Sequence, residues 1–481
     1  MVQPDFYAVS AHQCWAVLLK LRNMPPLDQV PIMSRRQPVT RREMLKMTGL
    51  ALVGCSRLAS AAWLSKHKTF DEPPRIPYPG SDDQLLDEIE RAAFDFFWNE
   101  ASSTTGQVRD RALLNGEIHR VSDRGNDQRR IASIAATGFG LTGLCIAESR
   151  GYGKATEIRE RVRQTLRFLK QKLPYEHGFF YHFIDMDSGA RVWNCELSSI
   201  DTSLLLCGVL TARQHFDDAE IQDLATAIYE RVDWPWMLNG GKTFSMGWKP
   251  DGGFLRNRWD HYCELMMIYL LAIGSPTHSV SSDTWKAWTR PTVKFQEFEY
   301  ISGHDPLFTH QYSQAWFDFR HKRDAYANYF TNSVTATKAH EQFCISLRDE
   351  FPDYSAHLWG ITASDSATGY QAWGGPPRIG RLDGSVVPCA PGGSLPFLRE
   401  DCLGVLRNIR ERYPKAWGRY GFVDAFNPLN GWYNPDVLGI DLGITMVMAE
   451  NARSGFVWST FMKNKEMRDA MEKAGFQSSL P

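Results

Sequence analysis

Two stretches of the chain set a carboxylate at the opening of an apolar run. Trp193-Asn194-Cys195-Glu196-Leu197-Ser198-Ser199-Ile200-Asp201-Thr202 leads into apolar residues 203–210, and Trp259-Asp260-His261-Tyr262-Cys263-Glu264 leads into residues 265–273. A carboxyl at the mouth of a helix that is apolar nearly all round loses water on one side and keeps it on the other, which is what a catalytic acid needs. Asp260 and Glu264 are four apart, so on one helical turn they would face the same way and their repulsion would hold one of them protonated, ready to act as a general acid. The plainer alternative is a solvated acidic helix N-terminus stabilised by the helix dipole. Flanking Trp259 and Tyr262 favour chemistry, because two aromatic and acidic mouths meeting in one cleft suit a carbohydrate.

Further along, residues 421–428 and 431–441 bring Asp424 and Asp441, both expected as cavity carboxylates, while Asp436 suits a helix cap. Trp193, Asn194, Trp248 and Trp432 are candidate sugar-contacting residues. Asp123 and Arg124, with Arg129 and Arg130 near them, would hold substrate hydroxyls or pair with the cavity carboxylates; surface charge is the alternative. His310, Tyr312, Trp316 and Arg320 follow one another at nearly helical spacing and form either core or a sugar platform. Asp185-Met186-Asp187-Ser188-Gly189, with Glu196 at the twelfth place, partly matches a calcium loop, but Ala190 stands where that loop needs glycine. Its flanks read instead as two strands around an Asp-Ser-Gly turn, so no metal is expected. The chain contains no phosphate-binding glycine loop, nucleophile elbow or HExxH motif.

The elements that must position these residues are helical. From residue 83 one-sided stripes (Leu85, Leu86, Ile89, Ala93, Phe96, Phe97; then Ile158, Val162, Leu166, Leu169; then Ile221, Leu224, Ile228, Val232) alternate with runs that have little polar face, at 131–147, 203–210, 265–273 and 442–449. One-sided helices alternating with all-round apolar ones imply an outer layer facing solvent and an inner layer packed on both sides. The expected fold is therefore all-α: an (α/α)6 toroid, a double ring of about twelve helices counting weaker candidates at 309–319, 325–349, 355–363 and 397–412, with a small β-hairpin in the loops.

Composition narrows the partners. A formal net charge of -1 argues against a nucleic-acid surface, while 16 Trp in 481 residues exceed what core packing alone requires and suit stacking on sugar faces. The nine Cys show no CxxC pair and read as small core residues. Arg41-Arg42 before a short apolar run, residues 44–55, reads as a twin-arginine export signal too short to anchor in a bilayer. Cleavage after Ala59-Ser60-Ala61 or lipidation of Cys55 would mature it, a lipid on Cys55 being the single membrane contact expected. Met33-Ser34-Arg35-Arg36 would make a more natural beginning than Met1. The domain plan is thus an N-terminal extension with export signal (1–61), a Pro-rich linker (62–82) and one catalytic domain (83–478), expected as a monomer.

Several blocks together resemble a known family. The run from Ile131 to Leu141, the block Gly178-Phe179-Phe180-Tyr181-His182-Phe183 through Trp193-Asn194-Cys195-Glu196-Leu197-Ser198, the segment Ser245-Met246-Gly247-Trp248-Lys249-Pro250, and residues 417–428 are similar to the glycoamylase-like domain, which includes the bacterial endo-β-1,2-glucanases of glycoside hydrolase family 144. The resemblance covers residues 83–476. It implies an (α/α)6 toroid, hydrolysis of a β-1,2-glucan with inversion, and no cofactor. By motif it implies Glu264 as general acid and Glu196 as a second cavity carboxylate, with Asp441 and Asp424 as candidates for the base. The expected function is an exported glycoside hydrolase acting on a β-linked oligo- or polysaccharide; a polysaccharide lyase on the same architecture and a non-catalytic sugar-binding protein are the alternatives.

Overall fold

The computed structural model describes residues 75–117, 130–303 and 306–479. The segment expected as an export signal, residues 62–74 of the expected linker, and Asp123, Arg124 and Arg129 lie outside the described residues. Helix α1 (Asp82–Asn99) opens on a reciprocal cap, Gln84 N donating to Ser81 Oγ at 3.2 Å and Ser81 N donating to Gln84 Oε1 at 2.8 Å. It buries the stripe read from the sequence. Helix α2 (Ile134–Arg150) starts on Ser133, is buried without a break from Ile134 to Ala147, and stops at Gly151 in the left-handed conformation (φ 71°). Helix α3 (Ala155–Gln171) is one-sided, α4 (Ser199–His215) is buried from Ser199 to Arg213, and α5 (Ala219–Glu230) is one-sided again.

A short α6 (Trp234–Leu238) precedes α7 (Met266–Gly274), all nine of whose residues are buried. Then come α8 (Tyr312–Trp316), α9 (Tyr329–Ser346), α10 (Cys389–Gly392), α11 (Arg399–Arg412), α12 (Gly439–Arg453), α13 (Phe456–Phe461) and α14 (Lys465–Lys473). The buried helices touch in chain order. α2 packs on α4, α4 on α7, and α10 on α12, while the last of them, α12, returns to α2. Polar bonds complete the series: Met267 N donates to Ser313 Oγ (3.1 Å) from α7 to α8, and Gln311 Nε2 donates to Ala390 O (2.8 Å) towards α10. Outside them α1 packs on α2 and α12, α5 on α4, α14 on α7 and α11 on α10.

Two expectations need correction. Residues 355–363 are not helical: Gly360 sits at φ 125°, and a Cβ there would come 2.7 Å from Pro391 Cδ, so this segment is an irregular strap against α10. The buried helix at that position is instead the four-residue α10, which Pro388 and Pro391 and the following glycines keep too short to show a helical period. The β content is also larger than one hairpin. Among the described residues short strands form several small sheets, among them Ile131–Ser133 with Phe183–Asp185, Leu197–Ser198 with Gly247–Lys249, and Arg111–Leu113 with Asp436–Leu438.

The contact between α2 and α4 depends on two glycines. A Cβ on Gly208 would lie 2.0 Å from Gly138 O, and one on Gly138 would lie 2.4 Å from Leu204 O. Both obstacles are backbone, so neither can swing aside. Gly208→Ala should destabilise the protein by roughly 1–3 kcal/mol, the usual cost of overpacking, read as a lower denaturation midpoint. An unchanged midpoint would mean that the two helices do not approach this closely.

Candidate active site

Three strands run straight into buried helices: Ile131–Ser133 into α2, Leu197–Ser198 into α4, and Asp436–Leu438 into α12. The last strand residue or its neighbour then falls at a helix N-terminus, where unpaired N–H groups and the helix dipole favour negative charge. This is why the acidic residues cluster at the mouths. Ser198 caps α4, its Oγ accepting from Asp201 N (3.2 Å) and donating to Asp201 Oδ2 (2.5 Å).

Tyr312, the first residue of α8, is buried. Its phenol is pushed well above the ordinary value, first by burial and then by the neighbouring acidic groups of Asp441, Cys389, Glu264 and Asp201. Those four residues come from the openings of α12, α10, α7 and α4. Ser313 Oγ donates to Glu264 O (2.6 Å), locking the Glu264 turn to α8. The Glu264 residue is fully buried (0 % exposed), whereas Glu196 and Asp441 keep 6 % and 8 %.

Asp424 and Asp441 form a coupled pair. Burial pushes Asp424 well above the carboxylate range, and the Asp441 and Asp365 charges push it further. Asp441 is raised by burial to about 6, less than it would be without the hydrogen bonds from Asp424 and Cys389 and the Arg111 charge. Both carboxyls are raised, Asp424 the more, so the pair shares a proton that Asp424 holds to higher pH. Asp424 is held from behind: its Oδ2 accepts from Asp365 N (2.9 Å) and Asn434 Nδ2 (2.8 Å). Arg111 reaches Asp365 (2.8 Å) and Asp110 (3.1 Å). Between α1 and the opening of α12 lies a small cavity lined by Ile89, Ala93, Phe422, Asp441 and Thr445.

Glu196 belongs to another group. His182 Nδ1 lies 3.2 Å from Glu196 Oε1, and its Nε2 lies 3.4 Å from Asp201 Oδ1. Gly247 faces this carboxylate, and a Cβ there would lie 2.7 Å from Glu196 Cγ. His182 and Asp201 are site residues that no catalytic motif in the sequence singles out. Ser198-x-x-Asp201 was the available signal, since a serine cap three residues before an aspartate fixes a helix start and points the aspartate into the mouth.

The aromatic candidates divide. Trp193 and Asn194 both have left-handed backbones (φ 54° and 50°), Trp193 being half-buried against Phe183 at 5.0 Å. Arg191 secures that turn by donating to Asn194 O (2.7 Å) and Cys195 O (2.5 Å). Trp248 is half-buried in the strand beside Leu197, 5.7 Å from Trp236, and Trp432 is half-buried in the strand Trp432–Tyr433. The others are core and not cleft. Trp259 is 1 % exposed and donates to Ser199 Oγ (2.8 Å). Trp316 is buried against Phe139 and donates to Thr142 Oγ1 (3.0 Å). Tyr262 Oη bonds His310 Nδ1 (3.1 Å), and burial drives the His310 pKa down to about 3, with the His340 charge adding.

Two charged candidates are also displaced. Arg320 lies beyond the C-terminal end of α8, paired with Asp318 (2.9 Å) over the Trp458 ring at 4.1 Å. Asp260 does not share a helical turn with Glu264, because α7 begins at Met266; its side chain is 55 % exposed and bonds its neighbour His261 (2.8 Å). The supposed calcium loop is a turn in which Asp185 Oδ1 accepts from Ser188 N (2.8 Å), closed from outside by Arg130 (2.8 and 3.1 Å). Among the described residues no group of His, Cys, Asp and Glu is placed to hold a metal ion.

These placements separate two tryptophans by experiment. Trp259→Ala should cost roughly 3–5 kcal/mol of stability, as for other buried large-to-small changes. Trp248→Ala should leave the melt near the parent's and weaken sugar binding. Equal melts for the two variants would contradict the division.

Residues 256–465 match the family model described as "Putative glucoamylase". An exo beta-1,2-glucooligosaccharide sophorohydrolase (non-reducing end) from Parabacteroides distasonis is 28% identical over 439 residues, covering 82% of this chain and 58% of that protein. The chain therefore spans little more than half the length of that curated relative. Among solved structures, an endo-beta-1,2-glucanase from Chitinophaga pinensis in complex with sophorotriose and glucose superposes with a TM-score of 0.75 at 27% identity, over 83% of this chain and 99% of that one. A beta-1,2-glucanase from Parabacteroides distasonis does so with a TM-score of 0.75 at 26% identity, over 83% and 60%.

Proposed function

We propose that this chain, which carries a glycoamylase-like domain, is an exported hydrolase of β-1,2-glucan, built as an (α/α)6 toroid and inverting the anomeric carbon it attacks. The observation that carries the reading is that two buried carboxyls meet α8 from separate helix mouths, Glu264 through the bond of its backbone O with Ser313 Oγ (2.6 Å) and Asp441 from the opening of α12, which packs on α8. The sequence and fold likeness to proteins named as β-1,2-glucan hydrolases supports the linkage.

Hydrolysis needs one carboxyl to protonate the leaving oxygen and one carboxylate to take a proton from the attacking water. Glu264 is the acid. It has no exposed surface, so the side chains over it must move aside before a glycosidic oxygen can approach. Asp441 is the base: raised by burial to about 6, it is ionised at neutral pH yet basic enough to deprotonate water in the transition state. Asp424 keeps the proton that lets the pair coexist. Water attacks from the face opposite the leaving group, so two carboxyls about 6.5–9.5 Å apart would yield an inverted product.

Incubation of the purified protein with linear and cyclic β-1,2-, β-1,3- and β-1,4-glucans tests the reading. New reducing ends from the β-1,2 polymers alone are expected. Unsaturated ends would indicate a lyase, and binding without cleavage would indicate a sugar-binding protein. We take the cleavage to be internal, giving a spread of oligomers; release of disaccharide alone would instead match the exo-acting relative.

Arg41-Arg42 and the apolar run after them support the reading as an exported protein. The mature form should begin after Ala61 or carry lipid on Cys55. N-terminal sequencing and mass measurement of the protein from its native host distinguish these, and a full-length chain in the cytoplasm would overturn export.

A further inference from the structure

We infer that His182 is a positioning residue, a doubly protonated imidazole bridging Asp201 to Glu196, which keeps Glu196 a fixed carboxylate that accepts hydrogen bonds from glucosyl hydroxyls beside the scissile bond. The inference rests on the hydrolase reading and assigns Glu196 a binding role separate from the Glu264 acid and the Asp441 base.

Geometry carries it. The two ring nitrogens of His182 face two different carboxylates at 3.2 and 3.4 Å. A neutral imidazole can donate through one nitrogen only and would set a lone pair against the other carboxylate, whereas imidazolium donates to both. Both carboxylates are anchored independently of the ring. Asp201 is tied to the Ser198 cap, and the Glu196 backbone O accepts from His182 N (3.0 Å), so ring and carboxylate come from segments already bonded together. His182 is buried, as are Glu196 and Asp201, and a buried carboxylate is stable as an anion only beside a compensating charge.

The groups facing the ring are Glu196 from the segment before the strand Leu197–Ser198, Asp201 from α4, and Asp110 from the segment before Arg111–Leu113, itself bonded to Arg111. On the α2 side Ile134 N donates to His182 O (3.3 Å), with no charge. Burial works against protonation, but the Asp201 charge and the Glu196 hydrogen bond and charge outweigh it, and the imidazole lies above its ordinary value. A sugar ring offers hydroxyl donors, and a carboxylate that cannot take up a proton is always ready to accept from them.

Two measurements test this. In His182→Gln the KM for β-1,2-glucan should rise by about 10- to 100-fold, the worth of a hydrogen bond to a charged group, and by more than kcat falls. KM in the variant should also climb as the pH is lowered from about 7 to about 5, where the parent's stays level, because Glu196 can then take up a proton. A loss confined to kcat, or a KM that is unchanged at every pH, would overturn the assignment.

Nitrogen-15 NMR of the parent's histidines needs neither catalysis nor a folded His182 variant. One imidazole should be doubly protonated at pH 7 and become neutral there in Glu196→Gln; the absence of such a resonance would overturn the assignment as well. A parent that cleaves no glucan yet shows this imidazolium would sink the hydrolase reading and leave the bridge standing.

Discussion

Glu264→Gln should lower turnover by about 10²–10⁴, the usual worth of general acid catalysis, while glucan binding stays near the parent's. The amide keeps the shape and hydrogen-bonding reach of the side chain but has no proton to give to the leaving oxygen. Because Glu264 is fully buried, the melt must be run beside the rate measurement. A folded variant that hydrolyses glucan at the parent rate would remove Glu264 from the mechanism. Substrates with a good leaving group supply the internal check: they need little protonation, so the variant should lose much less on them.

Asp441→Asn should also lower turnover by about 10²–10⁴, for loss of the base, and here pH gives a second readout. Burial raises Asp441 to about 6, and the base form is the ionised one. Parent activity should therefore climb as the pH rises through about 6 and level off above it.

Stability should move the other way. The folded-state pKa lies above the unfolded one, so the folded protein holds the extra proton, and the contribution of this group is fully present below about pH 4 and lost as the pH rises through about 6. Removing the ionisable group should then make Asp441→Asn more stable than the parent at pH 7, by about 1–3 kcal/mol, and no more stable at pH 4. A variant less stable at both pH values would mean that Asp441 is a structural anchor. Asp424→Asn offers a separate comparison, since Asp424 also accepts from Asp365 N and Asn434.

Where the chain alternates between stripes and all-round apolar runs, its helices were legible. α1 to α5, α7 and α12 are long enough for period and burial to appear in the residues. The failures share a cause. α10 is a buried helix of four residues, shorter than the pattern that would reveal it, and the segment at 355–363 is apolar enough to mimic a helix until the backbone of Gly360 is known.

At the site, Glu196, Glu264 and Asp441 could be picked out because each sits at or near the start of an apolar run, and Tyr312 by its near-helical spacing from Trp316. His182 could not, because nothing in Tyr181-His182-Phe183 says that two carboxylates will close on it from segments 14 and 19 positions further on. Residue type alone does not tell a ring that stacks on sugar from one whose indole N–H is satisfied inside the core, which is why Trp259 reads as a cleft aromatic and Trp316 as either. Asp260 was misplaced by one helical turn, since α7 starts two residues after Glu264 and not before it.

The most direct test is the configuration of the newly formed reducing end, followed by proton NMR from the first minutes of β-1,2-glucan hydrolysis, before mutarotation mixes the anomers. Attack by water that Asp441 activates, with Glu264 protonating the opposite side, predicts that the α-anomer appears first and the β-anomer grows in only as the sugar equilibrates. A first-formed β-anomer would require a covalent intermediate on one of these carboxylates and would contradict the account.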